Sequence, residues 1–149
     1  MLIRKAAPSD EPAVRACAEA AYGRYVAAIG RRPAPMDADF AAQIAAGVVF
    51  VAVGEENSVK GYVAFFPQGD HMFLDAVAVQ PSVAGRGIGK ALVQFCEDEA
   101  RRLGFGAVRL YTNALMTDNL SIYPHLGYVE VDRRTDEGFE RVFFEKQLS

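Results

Sequence analysis

Residues 83–92, VAGRGIGKAL, place three glycines at alternate positions between a valine-rich run ending at Val79 and a long amphipathic pattern opening at Ile88. Ordering alternate glycines costs more chain entropy than ordering other residues, and a plain connection does not require it. A glycine loop that runs from a strand into a helix points backbone N–H groups at whatever lies before the helix N-terminus, an arrangement suited to an anion. The chain must therefore be built around a strand–loop–helix unit.

The helix of that unit is the clearest in the chain: in IGKALVQFCEDEARRLG, Ile88, Leu92, Phe95, Cys96, Ala100 and Leu103 fall on one face, and Gly104 ends it. Upstream, VVFVAVG, KGYVAFFPQGD and MFLDAVAVQP are rich in valine and aromatics and are separated by EENSV and a Pro67–Gly69 turn. They predict three consecutive antiparallel strands. LIRKA predicts an opening strand. PSDEPAVRACAEAAYGRYVAAIG predicts a helix with Ser9 as N-cap, a buried face of Val14, Cys17, Ala21, Tyr25 and Ile29, and a break near Gly23. After the RRPAPM loop, DADFAAQIAAG predicts a shorter helix anchored by Phe40 and Ile44 and stopped at Gly47. AVRLYT reads as a further strand, TDNLSIYPHLG as a short helix closed by Gly127, and YVEVDRR with FERVFFEKQL as a hairpin around TDEG. No repeat or linker interrupts the pattern, so residues 1–149 read as one mixed α/β domain.

A chain of 149 residues can bury roughly two thirds of the surface that its unfolded form exposes. Its two cysteines, Cys17 and Cys96, lie in apolar helical patterns and read as buried thiols of a reducing compartment, not as a disulfide. Net charge is -3, and the densest basic groups are pairs such as Arg31-Arg32, Arg101-Arg102 and Arg133-Arg134. No basic stripe is present, which argues against a nucleic-acid partner. No run approaches the roughly 20 apolar residues of a membrane span, so the expectation is a soluble cytoplasmic protein without a membrane partner.

Three phosphate loops compete for the stretch. A nucleotide P-loop needs glycine where Ala84 stands and a magnesium-binding hydroxyl where Ala91 stands. A dinucleotide fingerprint needs its third glycine one residue after Gly89 and an early βαβ unit, whereas this loop follows an antiparallel meander. Both readings fail on those residues.

The third reading is carried by two motifs together. VAVQPSVAGRGIGKAL resembles the acetyl-CoA signature of the GNAT superfamily of N-acyltransferases: strand, proline, then a Gln/Arg-x-x-Gly-x-Gly/Ala loop opening a long helix. LSIYPHLGY resembles the second motif of that family, a short helix with a tyrosine four residues before Gly-Phe/Tyr. The order of elements along the whole chain is similar too. The resemblance implies a mixed, mostly antiparallel sheet of about six or seven strands with about four helices on its two faces. It implies acetyl-CoA as cosubstrate, no metal, and transfer to a primary amine of a small molecule or of a peptide or protein, a small molecule being preferred. A non-catalytic acyl-CoA-binding or sensor module is the alternative, and a homodimer is left open.

The resemblance also assigns residues. Ala84, Gly85, Arg86, Gly87, Ile88, Gly89 and Lys90 would hold the pyrophosphate, mainly through backbone N–H groups, since Ala84 replaces the usual Gln or Arg. Val77, Ala78 and Val79 lie on a strand expected to splay from its neighbour, leaving backbone groups around Val77 and Val79 to pair with the pantetheine arm like an added strand. Met116 replaces an asparagine common in the family, so Asn113 and Asn119 are the candidates for contacting that arm, with turn and capping hydrogen bonds as their other use. Asp75, alternating with Ala76, Val77 and Val79 on the strand, is the candidate base, directly or through water, or else a substrate-orienting group; His71 is the second candidate. Tyr123 matches the tyrosine that faces the departing thiolate. The acceptor is expected to meet Tyr22, Tyr25 and GRRPAPMDADF, with Tyr25 more a core residue and Arg31-Arg32 solvated.

Overall fold

The computed structural model describes residues 1–149. Strands β1 (Leu2–Lys5), β2 (Val49–Val53), β3 (Val59–Gln68), β4 (His71–Val79), β5 (Ala107–Asn113), β6 (Val129–Asp136) and β7 (Phe139–Gln147) form one sheet in the order β1-β2-β3-β4-β5-β7-β6. Every neighbouring pair is antiparallel except β4 and β5. Parallel neighbours need a long crossover, and helix α4 (Ile88–Arg102) supplies it. The remaining helices are α1 (Glu11–Tyr22), the single turn α2 (Val26–Ile29), α3 (Phe40–Ala45) and α5 (Thr117–His125). The expected mixed, mostly antiparallel α/β sheet is thus present.

Side chains alternate across the sheet and divide the core in two. On one face, α1 and α3 bring Val14, Cys17, Tyr22, Phe40 and Ile44 onto Val49, Val51, Tyr62 and Ala64. On the other, α4 and α5 bring Leu92, Cys96 and Tyr123 onto Val63, Met72, Leu74 and Leu110. Both cysteines are buried free thiols. Burial pushes the Cys17 thiol up to about 12 and that of Cys96 up as well.

Several details depart from the sequence expectation. Gly23 does break the first helix, through a 3-10 turn over Gly23–Tyr25. Ser9 caps nothing, because it lies inside a 3-10 turn over Pro8–Asp10. Asp10 organises that end instead, accepting the Ala7 N–H at 2.7 Å and pairing with Arg4. Leu103, predicted for the buried face of α4, is 48% exposed as the residue that ends the helix. Val93 and Glu97 are buried in its place. The β3–β4 turn sits at Gly69-Asp70, and Pro67 stays in the strand. The last hairpin turns at Glu137-Gly138, with φ of 53° and 80°. Both values are positive, as a two-residue hairpin turn with the twist of its strands requires.

Glu97 is 2% exposed in the middle of α4. It accepts a hydrogen bond from the Tyr128 hydroxyl at 2.9 Å and pairs with Lys146 of β7 at 3.0 Å, tying helix to sheet. On the opposite face, the Tyr62 hydroxyl is buried without a hydrogen-bond partner. Lys146→Met should therefore cost about 3 kcal/mol in urea unfolding by leaving Glu97 uncompensated. Tyr62→Phe, which removes only an unsatisfied hydroxyl, should leave stability unchanged or raise it by about 1 kcal/mol.

Candidate active site

The glycine loop behaves as its residues require. Gly85 and Gly87 hold φ of 80° and 83°, a left-handed conformation costly to residues with a Cβ, and nothing lies within 4 Å of where a Cβ would stand on either. Gly87 is the N-cap of α4, no side chain caps it, and the first helical hydrogen bond runs from the Ala91 N–H to the Gly87 carbonyl at 3.0 Å. The N–H groups of Ile88, Gly89 and Lys90 therefore have no partner within the helix and face the loop. A helix dipole adds partial positive charge at the same point.

Beside this N-terminus the sheet opens. β4 and β5 pair only at Met72–Val108 and Phe73–Arg109, and then diverge. β4 continues along β3 as far as Val79, so its other edge is left without a strand over residues 74–79. The resulting groove, of about 500 Å³, is lined by Val77, Ala78, Val79, Ala84, Gly85, Gly87, Ile88, Gly89 and Lys90, with Asn119 and Tyr123 across from them. Arg86 lies outside it, on a shelf with Leu2 and Lys60. The Val77 carbonyl faces the open edge but already accepts the Tyr22 hydroxyl at 2.7 Å. A residue's N–H and C=O share one edge of an antiparallel strand, so the Val77 N–H faces the groove as well.

A bulge explains where Asp75 points. Ala64 pairs with Ala76 and Phe65 with Leu74, leaving Asp75 as the extra residue of β4. A bulge places two consecutive residues on one face, and strict alternation, which the sequence suggested, fails here. Asp75 joins Ala76 on the α1/α3 face, where its carboxylate accepts a hydrogen bond from the Gln43 amide of α3 at 3.1 Å, while Val77 and Val79 pack toward the α4 core. Burial raises the Asp75 carboxyl above its ordinary value, against the lesser opposing effect of the Gln43 bond.

Asp75 lines a second cavity of about 200 Å³, which also reaches Tyr22, Val77, Asn119 and Tyr123. Those four residues line the groove too, so the two spaces meet at them. Tyr123 is held in α5, edge-on to Tyr128. Burial, with Cys96 nearby, holds its hydroxyl proton more tightly than in a free phenol. Such a group donates a hydrogen bond readily and gives up its proton reluctantly.

The other predicted residues separate. Asn113 lines the small cavity and not the groove, and its side chain accepts the Leu115 N–H at 2.9 Å, a turn role. Asn119 lines both spaces and donates to the Thr112 hydroxyl at 3.1 Å. His71 is at the far end of β4, between Asp70 and Gln68, and lines neither space. Tyr25 lines the groove with Arg24, which pairs with Asp118 of α5 at 2.8 Å. Arg32 is held by Glu19 and Asp37 on the surface, and Arg31 stacks on Phe139. Arg141 and Tyr111 line the small cavity and were not foreseen. They lie on strands whose alternation shows only which residues share a face, and no motif marks them.

A family model described as the Acetyltransferase (GNAT) family matches residues 14–128. Probable N-acetyltransferase 14 of Xenopus tropicalis is 30% identical over 82 residues, 54% of this chain and 40% of that protein. The uncharacterized N-acetyltransferase YjgM of Escherichia coli (strain K12) is 28% identical over 90 residues, 58% of this chain and 54% of its own. The chain thus spans about half the length of the curated relatives it matches. The crystal structure of the PaiA N-acetyltransferase from Thermoplasma acidophilum in complex with coenzyme A superposes with a TM-score of 0.83 at 18% identity, covering 99% of this chain and 98% of that one. At that identity the likeness concerns the fold.

The raised Asp75 carboxyl has a stability consequence. Between the unfolded value of about 3.9 and the higher folded value, the folded chain binds more protons than the unfolded one, so Asp75 lowers stability as pH rises through that window. Asp75→Asn should accordingly stabilise the protein at pH 7 and lose that advantage below about pH 3. Thermal unfolding of both proteins at the two pH values checks it; an equal difference at both would exclude this origin.

Proposed function

Because this chain belongs to the GNAT acetyltransferase family, we propose that it is an acetyl-CoA-dependent N-acetyltransferase that passes the acetyl group directly to the primary amine of a small acceptor. The observation that carries the proposal is the meeting of two spaces at Tyr22, Val77, Asn119 and Tyr123: one runs along an open strand edge to an uncapped helix N-terminus, and the other holds a half-buried carboxylate. The residues fit coenzyme A. Unpartnered N–H groups at the start of α4 and the Lys90 ammonium suit its pyrophosphate, and the open edge of β4 suits the amides of its pantetheine arm. When bound, acetyl-CoA supplies an acetyl group on a thioester whose sulfur departs as a thiolate.

The chain's own residues have two protons to manage. An alkylammonium of pKa about 10.4 is neutral in only one molecule in a few thousand at pH 7, a barrier of about 4.6 kcal/mol. Asp75 removes that proton, directly or through a water, and its burial makes it a stronger base than a surface carboxylate. The amine nitrogen then bonds to the acetyl carbon as the carbon–sulfur bond breaks, and the second proton that the nitrogen sheds on becoming an amide neutralises the departing thiolate. A thiolate of pKa about 8.5 gains only about 2 kcal/mol from protonation at pH 7, so the weakly acidic Tyr123 hydroxyl suffices as a hydrogen-bond donor to the sulfur. The strand N–H groups facing the groove are placed to receive the acyl oxygen as it gains charge. Cys17 and Cys96 are buried in the cores with raised thiol values, which favours direct transfer over a route through a cysteine.

Thiol release from acetyl-CoA across a panel of small amines tests the reading. Tight coenzyme A binding without release on any amine would identify a binding module instead. Asp75→Asn should lower kcat/KM at pH 7 by about 100-fold and restore it as pH approaches that of the free amine. Tyr123→Phe should lower kcat by up to about 30-fold at pH 7, where about 2 kcal/mol is at stake, and by less as pH approaches the thiol value. Unchanged turnover in either variant would remove that residue from the chemistry.

A further inference from the structure

Among the residues that line the small cavity, Asp75 and Arg141 carry the only formal charges. They come from different strands, β4 and β7, so the cavity has one anionic and one cationic group on its wall. Arg141 is an unusual residue to find there. Its side chain is 7% exposed, and its guanidinium lies over the Tyr111 ring at 4.2 Å from the centroid. Its counter-charges are at the end of β6 and in the turn after it: Asp136 accepts from Nη1 at 2.9 Å, and Glu137 lies 3.5 Å from Nη2, at the outer limit of a hydrogen bond. Those side chains are 47% and 76% exposed, so water weakens both attractions. A guanidinium has five N–H donors, and these two contacts leave most of them free.

An acceptor amine must come to Asp75, and the rest of a small acceptor must then share about 200 Å³ with Arg141. A second ammonium there would meet a buried cation. An apolar tail would cover the guanidinium without satisfying it, at the cost of its remaining donors. A carboxylate or a phosphate matches the planar fork, and the carboxylate is the smaller of the two for so confined a space. We infer that the acceptor is a small amino acid or a similar zwitterion, whose carboxylate is received by Arg141 while its amine is presented to Asp75. This inference rests on the amine-acetylation reading above. The device is held in place from outside: Arg31 donates to the Glu137 carbonyl at 2.5 Å and stacks on Phe139 at 3.6 Å, fixing the turn at the counter-charges of Arg141.

The test compares amino acids with the amines obtained by removing their carboxyl groups, assayed by thiol release from acetyl-CoA with wild type, Arg141→Gln and Arg141→Lys. Dividing each variant's KM by the wild-type value for the same acceptor cancels differences in intrinsic amine reactivity. Arg141→Gln should raise KM for the amino acid about 10- to 100-fold while changing that for the matched amine by less than about threefold, the scale of a charge-assisted hydrogen bond. Arg141→Lys, which keeps the charge and loses the fork, should give a smaller rise confined to the amino acid. Equal losses on both acceptors, or a wild-type preference for the decarboxylated amine, would overturn the inference and leave acetyl transfer standing. Absence of transfer to every amine would overturn both.

Discussion

The divergence of β4 from β5 after two residue pairs is the constraint on which the rest of the site depends. A continuous parallel ladder would satisfy the edge of β4 and leave no space between the strands. The bulge at Asp75 coincides with the opening: it shifts the β3–β4 register at the point where β5 leaves. A bulged strand bends and twists locally, which is compatible with such a departure. The same extra residue carries the carboxylate to the α1/α3 face, so opening the groove and aiming Asp75 are one backbone event.

The groups held at that opening are costly to keep. Asp75 is half-buried with a single amide as partner, Tyr123 has its hydroxyl where burial strengthens its hold on the proton, and Arg141 is buried with counter-charges that face water. Each would be more stable in water, and under the proposed function each gains chemical use from being out of it. The surrounding structure compensates with continuous apolar packing on both faces of the sheet and with the Glu97–Tyr128–Lys146 bridge between α4 and β7. Sites that hold groups in unfavourable surroundings commonly rely on such support elsewhere.

How much of this was legible in the sequence varied with the range of the interaction responsible. The α4 pattern, the three antiparallel strands, the break at Gly23 and the hairpin at the end were readable because periodicity and turn residues act over a few positions. Small errors had equally local causes. Leu103 falls on the apolar face by spacing but ends the helix, and Ser9 has the chemistry of a cap although Asp10 makes the contacts. Alternation along β4 could not predict the face of Asp75, since a bulge depends on how β3 pairs with it. His71 and Asn113 had suitable chemistry, but the fold gave them turn and strand-end partners.

By itself the sequence determined that a glycine loop must run from a strand into a strong helix, because positive φ at Gly85 and Gly87 and the 3.6-residue apolar spacing after them are properties of neighbouring residues. With the tyrosine motif, it also determined the family. Only the tertiary structure decided that Arg86 lines a neighbouring shelf, that Tyr22 takes the Val77 carbonyl, and that Arg141 shares a cavity with Asp75. The physical reason is that a pocket wall is assembled from strands adjacent in the sheet and distant in the chain. Their facing side chains are set by register and by a bulge, neither of which a short stretch of sequence encodes.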